Sequence, residues 1–314
     1  MQNQRAMQKQ VYFSVVIAAI SFITVKRIQQ ASIDHYHFLR EVFQKDGWFD
    51  FGHPTLTINL PFELREISGI TDFSENEIAC VQNQKGTLYV YSMTGDSISA
   101  QFDFGYKGEF EGLTHVDSAY FIIRNDAVLL EVAPNLDSVL VNFKKLELPP
   151  WDNDVLCMDA RDHRLLVAPK NSTSRGAELK NTRGIYTIDL ETMEMDDEPL
   201  FTINLSELES FGQNTGILFA KKKRSKEEES SNQFMPSCIA VHPKTDEVYI
   251  ISSVDHSMAV FEKSGKLINF VRFNAQLFTR PERIIFMPNG DLVITNEGQQ
   301  GKTSLLCFKW HIPH

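Results

Sequence analysis

The chain has 314 residues, of which 31 are Lys or Arg and 41 are Asp or Glu, giving a formal net charge of −10. With 42% hydrophobic and 23% charged residues it has the make-up of a folded globular protein, which excludes a disordered tail, a collagen and a multi-span membrane protein. The acidic balance speaks against nucleic acid as a partner, and four Cys in this length are too few for a disulfide-built scaffold.

Residues 1–30 hold four basic and no acidic residues, leaving 27 basic against 41 acidic in the remainder. Within them, Val11 to Val25 is an uncharged run of 15 residues closed by Lys26 and Arg27. As a helix it would measure ~22 Å, short of the ~30 Å hydrocarbon core. A basic start followed by such a run reads as a secretory signal or a short uncleaved anchor. The other reading is a buried helix. No A-x-A cleavage pattern precedes Lys26. Residues 31–52 are expected to be a linker close to the membrane, with a short helix over Ile33–Gln44.

From residue 53 onward the texture changes. Short apolar runs rich in β-branched and aromatic residues alternate with Gly, Asn, Asp and Pro turns. They include Thr55–Leu60, Glu77–Val81, Thr87–Ser92, Ala119–Ile123, Val128–Val132, Arg164–Ala168 and Gly184–Asp189. Further on come Glu247–Ser252, Ser257–Phe261, Asp291–Thr295 and Ser304–Phe308. This pattern predicts strands and an all-β domain over 53–314. The openings Glu66-Ile-Ser-Gly-Ile, Glu111-Gly-Leu, Val155-Leu-Cys-Met, Ser237-Cys-Ile-Ala and Glu282-Arg-Ile-Ile recur at intervals of 45, 44, 82 and 45 residues. A period of ~40–45 residues with four short strands marks a β-propeller blade. The long interval contains KKKRSKEEESSNQ, and residues 205–233 are expected to be an inserted polar loop, at whose start Ser206–Phe211 carries helical periodicity. Five blades follow. The last has three strands of its own, so Thr55–Leu60 is expected to supply the fourth and close the ring.

Inner strands of a propeller run the same way, so their starts ring one channel mouth. Glu66, Glu111, Val155, Ser237 and Glu282 are expected there, Asp154 lying beside Val155. The returning second strands end at the same mouth with Gln82-Asn83, Arg124-Asn125, Lys170, Ser252-Ser253 and Asn296-Glu297. Carboxylates crowded in a narrow mouth must take protons, meet basic partners or share a cation. One outcome is a Ca²⁺ site built from Glu66, Glu111 and Glu282, with Asn83, Asn296 and Glu297 as further ligands. The other is pairing with Arg65, Arg124, Lys170 or Arg283.

The stretches ELREISGI (63–70), GEFEGL (108–113), RLLVAPKN (164–171), FMPSCIAVHPKTDEVYIIS (234–252) and RPERIIFMPNGDLVITNEG (280–298) resemble the SdiA-regulated (YjiK-like) family of bacterial envelope proteins. The resemblance spans roughly residues 55–312. It implies a five-bladed propeller behind an N-terminal signal or anchor, with Ca²⁺ bound in the fold. Glu66, Glu111 and Glu282 stand at the family's E-(L/I)-S-G, E-G and P-E positions. The chain departs from the pattern at Val155-Leu156, where an E-G pair is expected, and at Arg283, where Gly is usual.

Cys80, Cys157, Cys238 and Cys307 lie inside apolar strands without C-x-x-C spacing, and are expected to be buried thiols. The sequence holds no G-x-S-x-G elbow, Walker loop or H-E-x-x-H motif. The reading is therefore a non-catalytic, Ca²⁺-binding propeller of the bacterial envelope, periplasmic or anchored facing outward. It would act as a single copy, touch the membrane only through its N-terminal segment, and bind a protein or small ligand at the channel mouth. The alternative is a Ca²⁺-dependent hydrolase, lactonase-like or phytase-like, with a rim carboxylate as base and Arg124 or Lys170 steadying an anion.

Overall fold

A computed structural model describes residues 48–134, 139–146, 155–168, 181–215, 234–297 and 303–312. The expected signal or anchor segment, residues 31–47 of the linker, Asp154 and Lys170 lie outside the described residues. No described helix is long and apolar enough to cross a membrane.

Among the described residues, twenty strands form five four-stranded antiparallel sheets. In chain order β1 (Leu56–Asn59) precedes the first blade: β2 (Ile67–Ser74), β3 (Glu77–Gln82), β4 (Lys85–Ser92) and β5 (Ser97–Lys107). The second blade is β6 (Phe110–Val116), β7 (Ala119–Arg124), β8 (Val128–Pro134) and β9 (Val139–Lys145). The third is β10 (Val155–Asp159), β11 (Arg164–Ala168), β12 (Thr182–Asp189) and β13 (Phe201–Asn204). The fourth is β14 (Cys238–Val241), β15 (Val248–Ser252), β16 (Ser257–Phe261) and β17 (Leu267–Arg272). The fifth joins β18 (Pro281–Phe286), β19 (Leu292–Asn296) and β20 (Ser304–Phe308) to β1, which runs antiparallel to β20 with Leu56 opposite Cys307 and Asn59 opposite Ser304. The inner strands β2, β6, β10, β14 and β18 adjoin one another in turn, and β18 adjoins β2. The sheets therefore form a five-bladed ring around a channel.

The burial pattern follows from this geometry. Second strands are walled by sheet on both edges and by neighbouring blades on both faces, so β15 and β19 are buried at every residue. They read as continuous apolar runs for that reason. Outer strands have one free edge, and β5 alternates exposed and half-buried residues over most of its length. Apolar side chains collect between blades. Leu166 and Ile239 meet in one such core, Ile251 and Ile294 in the next, and Ile70 and Ile285 in a third. Val116 packs with Leu165, and Val81 with Leu113, in the remaining two.

Close approach of inner strands demands glycine at position 69 and leaves little room for more at position 112. A Cβ on Gly69 would stand 2.9 Å from the Leu113 amide nitrogen, and one on Gly112 would stand 3.0 Å from the Leu156 Cβ. Side chains also lace the inner strands together. The His115 amide donates to Thr71 Oγ1 at 3.1 Å, the Met158 amide to Thr114 Oγ1 at 2.9 Å, and the Ile284 amide to Cys238 Sγ at 3.3 Å. The inner edge of each first strand has no sheet partner, and these contacts satisfy amides that would otherwise be buried alone.

The expected loop at 205–233 begins as a helix, α1 (Leu205–Asn214). Asn204 caps it by accepting from the Ser206 amide at 2.9 Å, a contact worth about 1 kcal/mol. Leu205 and Leu208 point into the core between the third and fourth blades. Residues 216–233 lie outside the described residues. Ahead of β1, Phe49 packs against Phe286 at 6.0 Å between ring centres and Phe51 against Phe308 at 5.5 Å, so this end of the expected linker belongs to the domain core. Trp48 and His311 form part of a separate small unit, with paired backbone bonds of 3.0 Å and rings stacked 4.4 Å apart.

Candidate functional site

The starts of inner strands and the ends of second strands meet at one channel mouth. Ile67 stands opposite Gln82, Phe110 opposite Arg124 and Pro281 opposite Asn296. Backbone bonds continue the ladder one step outward, from the Asn83 amide to Glu66 O at 3.1 Å and from the Glu297 amide to Arg280 O at 2.9 Å. In the first, second and fifth blades the register slips at this point, between Ile67 and Gly69, Phe110 and Gly112, and Pro281 and Arg283. The extra residues are Ser68, Glu111 and Glu282. A bulge re-aims a side chain that regular pleating would send between blades, and here two of the three re-aimed residues are carboxylates.

Glu66, Asn83, Glu111, Glu282 and Glu297 line a cavity of about 330 Å³ together with Arg280, Arg283 and the serines Ser68, Ser237 and Ser253. The structure thus brings together five of the six residues singled out as metal ligands. Asn296, the sixth, is buried beneath the mouth, where its Nδ2 donates to Leu277 O at 3.0 Å and Ser304 Oγ at 3.3 Å. Arg124 stands apart from the cavity lining, donating to Asp126 at 2.9 Å with its side chain packed over Gly108.

The rim carboxylates face arginines. Arg280 reaches Glu282 through Nε at 3.0 Å and Glu297 through Nη1 at 2.5 Å. Arg283 donates from Nη1 to Ser237 O at 2.7 Å and holds Nη2 at 3.8 Å from Glu111 Oε2. Arg65 Nε lies 3.6 Å from Glu66 Oε1, with its guanidinium 4.2 Å over the Phe62 ring. Burial first, and the neighbouring Glu282 second, push the Glu297 carboxyl above the usual carboxylate range. Arg283 pairing was among the sequence expectations. Arg280 was missed, although R-P-E-R places a cation on either side of Glu282.

Hard oxygen donors suit Ca²⁺, which takes roughly 6–8 of them. One observation favours such an ion: Asn83 Oδ1 is buried without a hydrogen-bond partner. The arrangement as it stands is not a ligand cage, since among the described residues no three Asp, Glu, His or Cys side chains lie together at metal-holding range. The serine hydroxyls are engaged structurally. Ser68 donates to Val81 O at 3.4 Å, Ser237 to Ile251 O at 3.2 Å, and Ser253 to Ser237 Oγ at 2.8 Å.

A second cavity of about 540 Å³ occupies the channel toward the other ends of the same strands. Ile70, Leu113, Leu156 and Ile239 form part of its wall, with His115 and Arg161 also lining it. Glu111 and Arg283 line both cavities.

No family model matches the chain, and no curated protein does. A solved structure at low identity shares its fold. The glutaminyl cyclase of Myxococcus xanthus superposes with a TM-score of 0.54 at 9% identity, covering 83% of this chain and 96% of that one. A streptogramin B lyase gives 0.41 at 13% identity, covering 77% of this chain and 65% of the other. The virginiamycin B lyase of Staphylococcus aureus gives 0.41 at 10%, covering 80% and 73%. The likeness to the cyclase is one of fold alone, because one propeller scaffold serves many functions.

Proposed function

We propose that the chain is a non-catalytic binding propeller of the bacterial envelope, of the SdiA-regulated kind, whose acidic mouth takes Ca²⁺. The observation that carries the reading is the mouth itself. Four carboxylates outnumber two arginines in one cavity of about 330 Å³, beside the unpartnered Asn83 oxygen. Glu66, Glu111, Glu282, Glu297 and Asn83 would hold the ion, which would neutralise the excess negative charge and stiffen the junction of the first, second and fifth blades. A protein or small ligand would then dock over the neutralised rim.

Two further features support this reading. The serines of the mouth spend their hydroxyls on backbone and on one another, which favours binding over nucleophilic chemistry. The basic-flanked apolar run Val11–Val25 favours export or anchoring. The pairing of β1 with β20 supports the reading of β1 as the clasp that closes the ring.

The test is calorimetric titration of the full chain with CaCl2, together with thermal melting in Ca²⁺ and in chelator. The expected result is saturable binding and a midpoint raised by Ca²⁺. A midpoint identical in both conditions, with no heat of binding at millimolar Ca²⁺, would overturn the reading.

A further inference from the structure

We propose that the cavity of about 540 Å³ at the far end of the channel binds a small organic monocation, an apolar body carrying one ammonium group, with Asp72 as its counter-ion. The site is separate from the acidic mouth and does not depend on Ca²⁺. Its volume lies within the roughly 300–1,000 Å³ of small-molecule sites, which are apolar cavities with a few placed polar groups. Ile70, Leu113, Leu156 and Ile239, from four different inner strands, supply the apolar wall. The exposed residues Ala160, Pro243 and Pro288 also line the cavity, so it opens to solvent at this end and a ligand can enter there.

Charge selects the occupant. Three carboxylates line the cavity, Asp72, Glu111 and Asp246, against two guanidiniums, Arg161 and Arg283. Asp246 contacts Arg161, and Arg283 holds Nη2 at 3.8 Å from Glu111. Asp72 is left over. Its carboxylate accepts from Thr71 Oγ1 at 3.2 Å and forms no ion pair among the described residues. It is half-buried, so a cation brought beside it is screened less than on open surface. Its position is also fixed, because the Thr71 hydroxyl that donates to it accepts the His115 amide of the next inner strand at 3.1 Å. A carboxylate held in place before the ligand arrives loses little freedom on binding. An anion of the same shape would enter a cavity that already carries one excess negative charge.

The experiment is calorimetric titration of the full chain at pH 7 with octylammonium chloride, 1-octanol and sodium octanoate, which share an apolar chain and differ in the charge of the head. Wild type is expected to bind the ammonium about tenfold more tightly than the alcohol, as a charge-assisted hydrogen bond allows, and the octanoate least. Asp72→Asn, checked for folding by circular dichroism, should bring the ammonium down to the level of the alcohol and leave the alcohol unchanged. Asp117→Asn removes the same charge from the exposed β6–β7 turn, outside the cavity lining, and should change nothing. An ammonium bound no more tightly than the alcohol by wild type overturns the proposal whether or not the variants fold. So does a preference for octanoate, an equal loss in both variants, or the absence of saturable binding.

Discussion

Lys263 donates to Asp159 at 2.6 Å, joining a turn of the fourth blade to the inner hairpin of the third. Asp159 is fully buried, and its second oxygen accepts from Arg164 Nε at 3.1 Å. A buried carboxylate held by two cations costs little while satisfied and a great deal when one side is removed. Asp159→Asn should lower stability by about 3 kcal/mol in urea denaturation. Asp162→Asn, at the exposed end of the same cluster, should stay within about 1 kcal/mol of wild type. Equal effects would show that the cluster is not organised around Asp159.

Gly69→Ala should destabilise by about 2 kcal/mol, because the new methyl would press on the Leu113 backbone where two inner strands touch. A variant as stable as wild type in chemical denaturation would mean that these strands can separate freely.

Cys238 serves the Ile284 amide as Thr71 and Thr114 serve theirs. Cys238→Ala should therefore cost about 1–2 kcal/mol, mostly for the abandoned amide, and Cys238→Ser should recover part of it. Burial also pushes the Cys307 thiol up to about 12 and raises those of Cys80, Cys157 and Cys238. A thiol-reactive dye at neutral pH should label the native protein slowly and reach all four cysteines after unfolding.

His163 sits in the exposed turn between β10 and β11 with φ of 49°, a left-handed conformation that L side chains adopt at a cost. His163→Gly should raise stability by about 0.5 kcal/mol. A fall of the same size would mean that its ring makes a compensating contact.

His242 is fully buried, in edge-to-face contact with Phe286 and Trp310 at 4.7 Å between ring centres. Its Nδ1 accepts from the Thr245 amide at 3.1 Å. Burial is the main cause that pushes its pKa down to about 4, helped by Lys244 and opposed by the Gly290 carbonyl. The folded state thus holds the neutral ring while the unfolded chain binds a proton from about pH 6.5 downward. The stability this group contributes is complete above pH 6.5 and is lost as pH falls toward 4, by at most about 3 kcal/mol. Melting from pH 8 to 4 should show that decline, and His242→Gln should flatten it even if its baseline is lower.

Legibility in the sequence followed burial. The second strands β3, β7, β11, β15 and β19 were readable because enclosure on every side forces unbroken apolar runs, as in Cys80-Val81 or Ile250-Ile251. Of the outer strands β1 was readable as Thr55–Leu60, whereas β5 and β9 were passed over. Gln101, Asp103 and Lys107 on β5 and Asn142, Lys144 and Lys145 on β9 face solvent; β5 carries its signal as the polar–apolar alternation Ser97 to Phe104 rather than as an unbroken apolar run, and on β9 three polar residues in the last four break the pattern. The five-fold repeat led from Glu66, Glu111 and Glu282 to a common mouth even though they are far apart in the chain. What spacing could not convey was the bulge that turns Glu111 and Glu282 inward, or the reach of Arg280. Both depend on side-chain direction, for which the only trace in the sequence is a glycine or arginine placed next to an acid.

Since Glu111 and Arg283 belong to the walls of both chambers, neither end of the axis is electrically private. A solute that settles against Glu111 from one side alters what Arg283 offers on the other.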